Sequence, residues 1–399
     1  ILRVPPSDPP ITVILIMIAV IVAAASMEAA GGLDYMVRLA EKILRKNPKH
    51  ITILAPLVAF IFTCMCGTGH IVYSLLPVIN EIAIENGVRP ERPISASIVS
   101  SQQAINACPI SAATVALVGY LAIYENVSLP IIMLITIPAT LIGTIAAALV
   151  VYKRGKELSD DPEYQARVAS GFVKDYKTSK NNTPVSKNAK LSVAFFLFSM
   201  LVIVILGAVP ALRPTYADES QLSMTTVIQM MMLFAAALMV IFCKMDSNKV
   251  LDMPVFKTGM FAVVLAFGLC WLVNTFIGDQ SDFITENMSA LTNQYPWIFI
   301  VATFIVGAIT TSQASTTMIM IPIAIALNLP LNVIIAGWIC TTANYFIPAS
   351  GQCVAALAFD SAGTTKIGKF VLNHSYMLPG LVCTVVSVLV ALGIGTVVL

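Results

Sequence analysis

The stretches Cys66-Gly67-Thr68-Gly69-His70 and Thr311-Ser312-Gln313-Ala314-Ser315 each interrupt a long apolar run, and each ends seven residues before a proline, Pro77 or Pro322. Further along, Ala107-Cys108-Pro109-Ile110-Ser111 is matched by Ile347-Pro348-Ala349-Ser350, and Pro138 opens a last apolar run as Pro379 does. Ahead of each series, Asp34 to Pro48 has the spacing of Asp282 to Pro296. Landmarks repeated in one order make the chain two diverged copies, 1–152 and 191–399. The segment 153–190 is a polar linker with clusters such as Ser179-Lys180-Asn181-Asn182.

Composition names the solvent of these copies. Of 399 residues 58% are apolar and 11% charged, where a soluble domain carries about 25% charge. The deficit excludes most soluble folds, intrinsic disorder and a nucleic-acid surface. What remains is an all-helical polytopic membrane protein. Runs long enough to cross about 30 Å of hydrocarbon lie at 11–30, 131–152, 191–212, 224–243, 256–277 and 371–398. Four more are broken by Gly, Pro or polar residues: 51–84, 94–123, 297–327 and 332–358. The eight cysteines sit within apolar runs, so they read as packing residues rather than a disulfide framework.

Charge placement selects a topology. If 51–84 and 297–327 are re-entrant hairpins while 94–123 and 332–358 cross, all but Arg3 and Arg213 of the 23 Lys and Arg fall on one side. The positive-inside rule makes that side cytoplasmic, and the linker with it. The two copies then have inverted topology. The second copy has three spans before its hairpin and the first has one, so two further spans are expected upstream of Ile1.

Each hairpin turn and helix break strands backbone groups at membrane depth, which is tolerated only around a cavity or within protein. Paired interruptions of this kind point to a transporter binding site. Half-helices are expected to begin near Ile71, Ser111, Ser315 and Ser350. Four N-termini, each equivalent to about half a positive charge, would suit an anion with two negative charges. Between residues 287 and 359 there is no Asp, Glu, Lys or Arg, so the second copy must bind with neutral groups. The candidates are Gly67, Thr68 and Gly69 at one turn, Ser312, Gln313, Ser315 and Thr316 at the other, and Ser111, Ser350 and Gln352 at the breaks. The amides Asn106 and Asn344 sit just before the two breaks. His70 is the one basic ionisable group placed near the midplane, suited to holding a carboxylate or carrying a proton. Cys64, Cys66 and His70 lack a fourth ligand for zinc, so no metal or cofactor is expected. An intramembrane hydrolase would have only His70 with Ser74 to work with, and no enzyme is expected.

These stretches also resemble a known family. Ala30-Gly31-Gly32-Leu33-Asp34, Cys66-Gly67-Thr68-Gly69-His70, Arg89-Pro90-Glu91-Arg92-Pro93, Gly363-Thr364-Thr365-Lys366-Ile367-Gly368-Lys369-Phe370-Val371 and Asn373-His374 are similar, in order, to the Dcu family of anaerobic C4-dicarboxylate transporters of the DcuA/DcuB type. The resemblance implies exchange of fumarate, malate, aspartate and succinate across a bacterial inner membrane, and a homodimer embedded in lipid. It also implies membership of the ion-transporter superfamily. Sodium-coupled relatives there carry Ser-Asn-Thr at the hairpin turns. Gly67-Thr68-Gly69 and Ser312-Gln313-Ala314-Ser315 differ, so no sodium site carries over. Tyr345-Phe346-Ile347-Pro348-Ala349-Ser350-Gly351 departs from the Leu-Pro-Thr-Tyr-Pro pattern of the family. That leaves another anion, such as citrate or sulfate, or a passive anion channel, as the competing readings.

Overall fold

A computed structural model describes residues 9, 11–124, 127–171, 186–216, 220–280, 294–348, 350–368 and 373–399. Asp282, Ala349, Lys369 to Val371, Arg3 and the middle of the linker lie outside these.

The described residues form an all-helical, multi-pass membrane protein. The long spans are α1 (Ile11–Ala29), α7 (Leu129–Val151), α9 (Lys187–Ala208), α10 (Met224–Phe242), α11 (Pro254–Asp279) and α16 (Met377–Val398). Each falls within a few residues of an expected span, except that α16 begins six residues later than position 371. Between α1 and the first hairpin lies α2 (Gly32–Lys46), turned by 71° from α1. It buries Met36, Ala40 and Leu44 on one face and leaves Lys42 and Lys46 outside, the pattern of an amphipathic helix at a membrane surface.

The broken regions divide as their polar residues require. Before the linker they are α3 (Ile51–Cys66) with α4 (Ile71–Glu85), and α5 (Glu91–Ile105) with α6 (Ala112–Leu121). After it they are α12 (Trp297–Thr310) with α13 (Gln313–Ala326), and α14 (Leu331–Ile339), a 3-10 turn at Cys340–Tyr345, then α15 (Gly351–Phe359). The helices flanking the two turns have 16, 15, 14 and 14 residues. At 1.5 Å per residue the last three reach about 21–23 Å, short of the hydrocarbon thickness, whereas the first continues a 3-10 turn at Pro48–His50 into a 19-residue apolar helix long enough to cross.

Both turns end their first arm in the same way. Gly67 and Thr311 adopt left-handed backbone, with φ of 72° and 49°, and donate their N–H to Thr63 and Gly307 four residues earlier. Glycine takes this conformation freely, whereas a β-branched threonine is strained there. The closure is over-determined at Thr311, because α13 starts two residues later under a Ser312 cap.

Packing gathers the helices around two centres that meet where α11 lies against α13 and α1 against α6. α1 packs with α9, α10 and α11. α3 packs with α5 and α7, α12 with α14, and α7 lies along α16 over their most extensive contact. That close approach needs Gly143, since a Cβ there would sit 2.6 Å from the Cys383 carbonyl oxygen. Helix α5 lies at the centre of this group, buried from Glu91 to Ala104 although it carries Ser95, Ser97, Ser100, Ser101, Gln102 and Gln103. Buried polar groups usually find partners: Ser100 donates to the Pro56 carbonyl at 2.6 Å, whereas Ser97 Oγ, Gln102 Oε1 and Gln103 Nε2 have none among the described residues.

At the other end of these helices a buried ionic network ties three loops together. Arg89 pairs with Glu91 at 2.8 Å and with Asp161. Arg92 pairs with Glu157 at 2.7 Å and donates to the Gly155 carbonyl. Ser375 donates to Glu91, and Thr364 to Asp360, at 2.7 and 2.8 Å. Burial alone would push the Asp161 carboxyl up, but hydrogen bonds from Arg89 and the Glu163 N–H outweigh it and hold the carboxyl below its usual range. A depressed folded pKa contributes stability that is complete above the unfolded value, about 3.9, and disappears as pH falls through the folded one. Thermal midpoints in detergent should therefore drop below about pH 4, and more steeply than in Asp161→Asn; parallel pH profiles would refute the assignment.

Candidate binding site

All four half-helix N-termini open onto one cavity of about 500 Å³, a volume suited to a small molecule. Cys66 to His70 and Tyr73 line it from the first turn, and Thr310 to Ala314 from the second. Ala112 and Ala113 represent the first break, and Asn344 with Ser350 to Gln352 the second. Helices α1 and α11 supply an apolar wall that includes Val20, Ile21 and Phe261. Among the described residues lining the cavity there is no Lys, Arg, Asp or Glu.

Serine caps three of the N-termini. Ser111 accepts from the Thr114 N–H at 3.1 Å, Ser312 from Ser315 at 3.3 Å and Ser350 from Cys353 at 3.4 Å. Each cap satisfies one of the four N–H groups that open a helix. At the fourth N-terminus, Thr68 accepts from the His70 N–H at 3.4 Å and lies 2.6 Å from His70 Nδ1. The hydroxyl has both its proton and a second lone pair available to Nδ1, so the contact orients the His70 ring in either tautomer.

Side-chain donors to backbone carbonyls hold the two turns in place. Gln352 Nε2 donates to the Gly69 carbonyl at 2.8 Å, and Ser101 Oγ to the same oxygen at 3.2 Å. Gln313 Nε2 donates to the Gln102 carbonyl at 2.7 Å. A side chain on Gly69 would collide with the Gln352 amide, so the close approach is what glycine provides there.

Nine of the thirteen candidate residues line the cavity: Gly67, Thr68, Gly69, His70, Ser312, Gln313, Asn344, Ser350 and Gln352. The other four lie behind its wall. Asn106 donates to the Trp338 carbonyl and to Thr341 Oγ1, each at 3.2 Å. Ser111 donates back to the Ile105 carbonyl at 2.8 Å. Ser315 accepts from Ser312 Oγ at 2.9 Å, and Thr316 donates to the Ser312 carbonyl at 2.7 Å, as hydroxyls in helices do. Sequence reasoning missed Thr258, Tyr73, Thr310 and Thr311. The last two adjoin Ser312 in an unbroken polar run, which is a usable signal; Tyr73, inside a helix, has none.

Comparison with known proteins follows this geometry. The family model for anaerobic C4-dicarboxylate membrane transporters, DcuA/DcuB, matches residues 1–399. The anaerobic C4-dicarboxylate transporter DcuB of Escherichia coli O6:H1 is 38% identical over 390 residues, 96% of this chain and 87% of that protein. The C4-dicarboxylate transporter DcuA of Wolinella succinogenes is 39% identical over 385 residues, covering 96% and 88%. Among solved structures, Neisseria gonorrhoeae MtrF, described within a class of antimetabolite efflux pumps, aligns with a TM-score of 0.59 at 13% identity, covering 98% of this chain and 81% of that one. At that identity the likeness concerns the fold alone. A match over the whole length and relatives above one-third identity have one meaning: the chain belongs to the DcuA/DcuB family of membrane transporters.

Proposed function

We propose that the protein exchanges C4-dicarboxylates, among them fumarate, malate, aspartate and succinate, across the bacterial inner membrane by alternating access. The carrying observation is the convergence of four helix N-termini on one cavity whose described lining offers hydroxyls, amides and an imidazole but no Lys, Arg, Asp or Glu. Four half-charges balance two carboxylates without the desolvation cost of a buried lysine or arginine. The names of the relatives support the substrate class.

Two inverted repeats, 1–152 and 191–399, account for the pairing of elements. α3 with α5 has its counterpart in α12 with α14, α5 with α7 in α14 with α16, and α4 with α15 in α13 with α6. On this reading α3–α4 and α12–α13 are re-entrant hairpins, the linker 153–190 is cytoplasmic, and the molecule works as a homodimer. Asn106, Ser111, Ser315 and Thr316 then support the site from behind.

Counterflow in proteoliposomes tests the function. Labelled succinate should accumulate against unlabelled fumarate, malate or aspartate, and not against citrate or sulfate. Thr68→Ala, which frees the His70 ring, and Ser312→Ala, which uncaps α13, should each lower exchange roughly tenfold while the protein stays folded. Accumulation driven equally by citrate would reject the substrate class, and a voltage-driven current without counter-substrate would reject exchange in favour of a channel.

A further inference from the structure

We infer that Gln102 is a positioning residue that aims the Ser350 hydroxyl proton at the substrate carboxylate, from a place behind the cavity wall. The inference rests on the dicarboxylate reading above and deepens it. Gln102 is 1% exposed. Its Nε2 donates to Ser350 Oγ at 3.3 Å, while the Cys353 N–H donates to the same oxygen at 3.4 Å.

A hydroxyl oxygen has two lone pairs and one proton. With both lone pairs engaged from the protein side, the part of Ser350 left for the cavity is its proton. Two of the other capping hydroxyls have spent theirs, Ser312 on Ser315 Oγ and Ser111 on the Ile105 carbonyl, while Thr68 is engaged with the His70 ring. Ser350 donates to no oxygen or nitrogen acceptor among the described residues, and it lines the cavity. Without the Gln102 amide the hydroxyl could rotate and present a lone pair, which repels an anion. Gln102 also accepts the Gln313 amide through its backbone carbonyl, so a side-chain substitution leaves that second bond in place and isolates the first.

Gln102→Met keeps the length and removes the donor. In succinate counterflow it should raise the half-saturation concentration roughly five- to tenfold and leave the maximal rate within about twofold. Ser350→Ala should raise it roughly 10- to 100-fold, the range for a hydrogen bond to a charged group. The diagnostic result is the double variant: added to Ser350→Ala, Gln102→Met should have less than about a twofold further effect, because its action passes through that hydroxyl. Independent multiplication of the two effects, or an unchanged half-saturation in Gln102→Met, would overturn the inference. Should Gln102→Met fail to fold, Gln102→Asn decides the same point, since it keeps the amide but withdraws it by one methylene. Absence of any succinate exchange by the unaltered protein would instead reject the proposed function, so the two failures are distinct.

Discussion

Gly69→Val should lower dicarboxylate exchange by about two orders of magnitude while the protein remains folded. Even a Cβ at position 69 collides with the Gln352 amide, and the branched side chain also crowds Ser101 and Ile105, which lie 3.3 and 3.4 Å from that Cβ position. Gln352 and Ser101 both donate to the Gly69 carbonyl. The substitution therefore breaks the link between the first turn and the second break and displaces two lining groups at once. Losing two hydrogen bonds and the placement of a donor set costs on the order of 3 kcal/mol, which is about a hundredfold. Gly393→Val, at an exposed position of α16 with open space around it and no left-handed backbone, is the control for expression and folding. Exchange by Gly69→Val within threefold of the unaltered protein would mean that the first turn does not shape the site.

Arg89→Ala should produce the largest loss of stability among the loop charges, about 3 kcal/mol. Its guanidinium bridges Glu91 and Asp161 with only 9% of the side chain exposed. Removing it leaves two carboxylates facing each other without a counter-ion. The comparison is Lys366→Ala, whose pair with Glu163 stands in solvent, 48% and 63% exposed; such pairs contribute little. Thermal midpoints in detergent should separate the two variants clearly. Equal midpoints would show that burial adds nothing to the Arg89 cluster.

Much of the architecture was legible because the bilayer leaves few alternatives. An apolar run broken by Gly67-Thr68-Gly69 or Thr311-Ser312 has to turn or unwind there, and three of the four half-helices begin where their capping or first residues indicated. Which way a hydroxyl faces was not legible. Ser111 and Ser350 are both N-caps of half-helices, yet one points back to the Ile105 carbonyl and the other borders the cavity. That difference depends on where α5 and α15 cross, and spacing along one chain does not contain it. Gln102 was hidden for a related reason: it stands in the run Ser100-Ser101-Gln102-Gln103, where nothing separates the residue that serves the site from its neighbours. The Arg89 network was out of reach as well, since Arg89 and Asp161 are 72 positions apart. The left-handed Thr311 contradicts what a β-branched residue prefers, and only the turn that surrounds it explains it.

The lack of Lys and Arg among the described residues lining the cavity bears on how the membrane potential acts in the proposed exchange. In that cycle the empty cavity brings no lysine or arginine charge through the field, and voltage leaves that step alone. A bound dianion carries both of its charges through the field, and bringing it into a cell with 100 mV negative inside costs about 4.6 kcal/mol. Trading one dianion for another cancels that cost entirely, so the same lining that spares the protein a buried arginine makes swapping cheap and one-way entry steeply uphill.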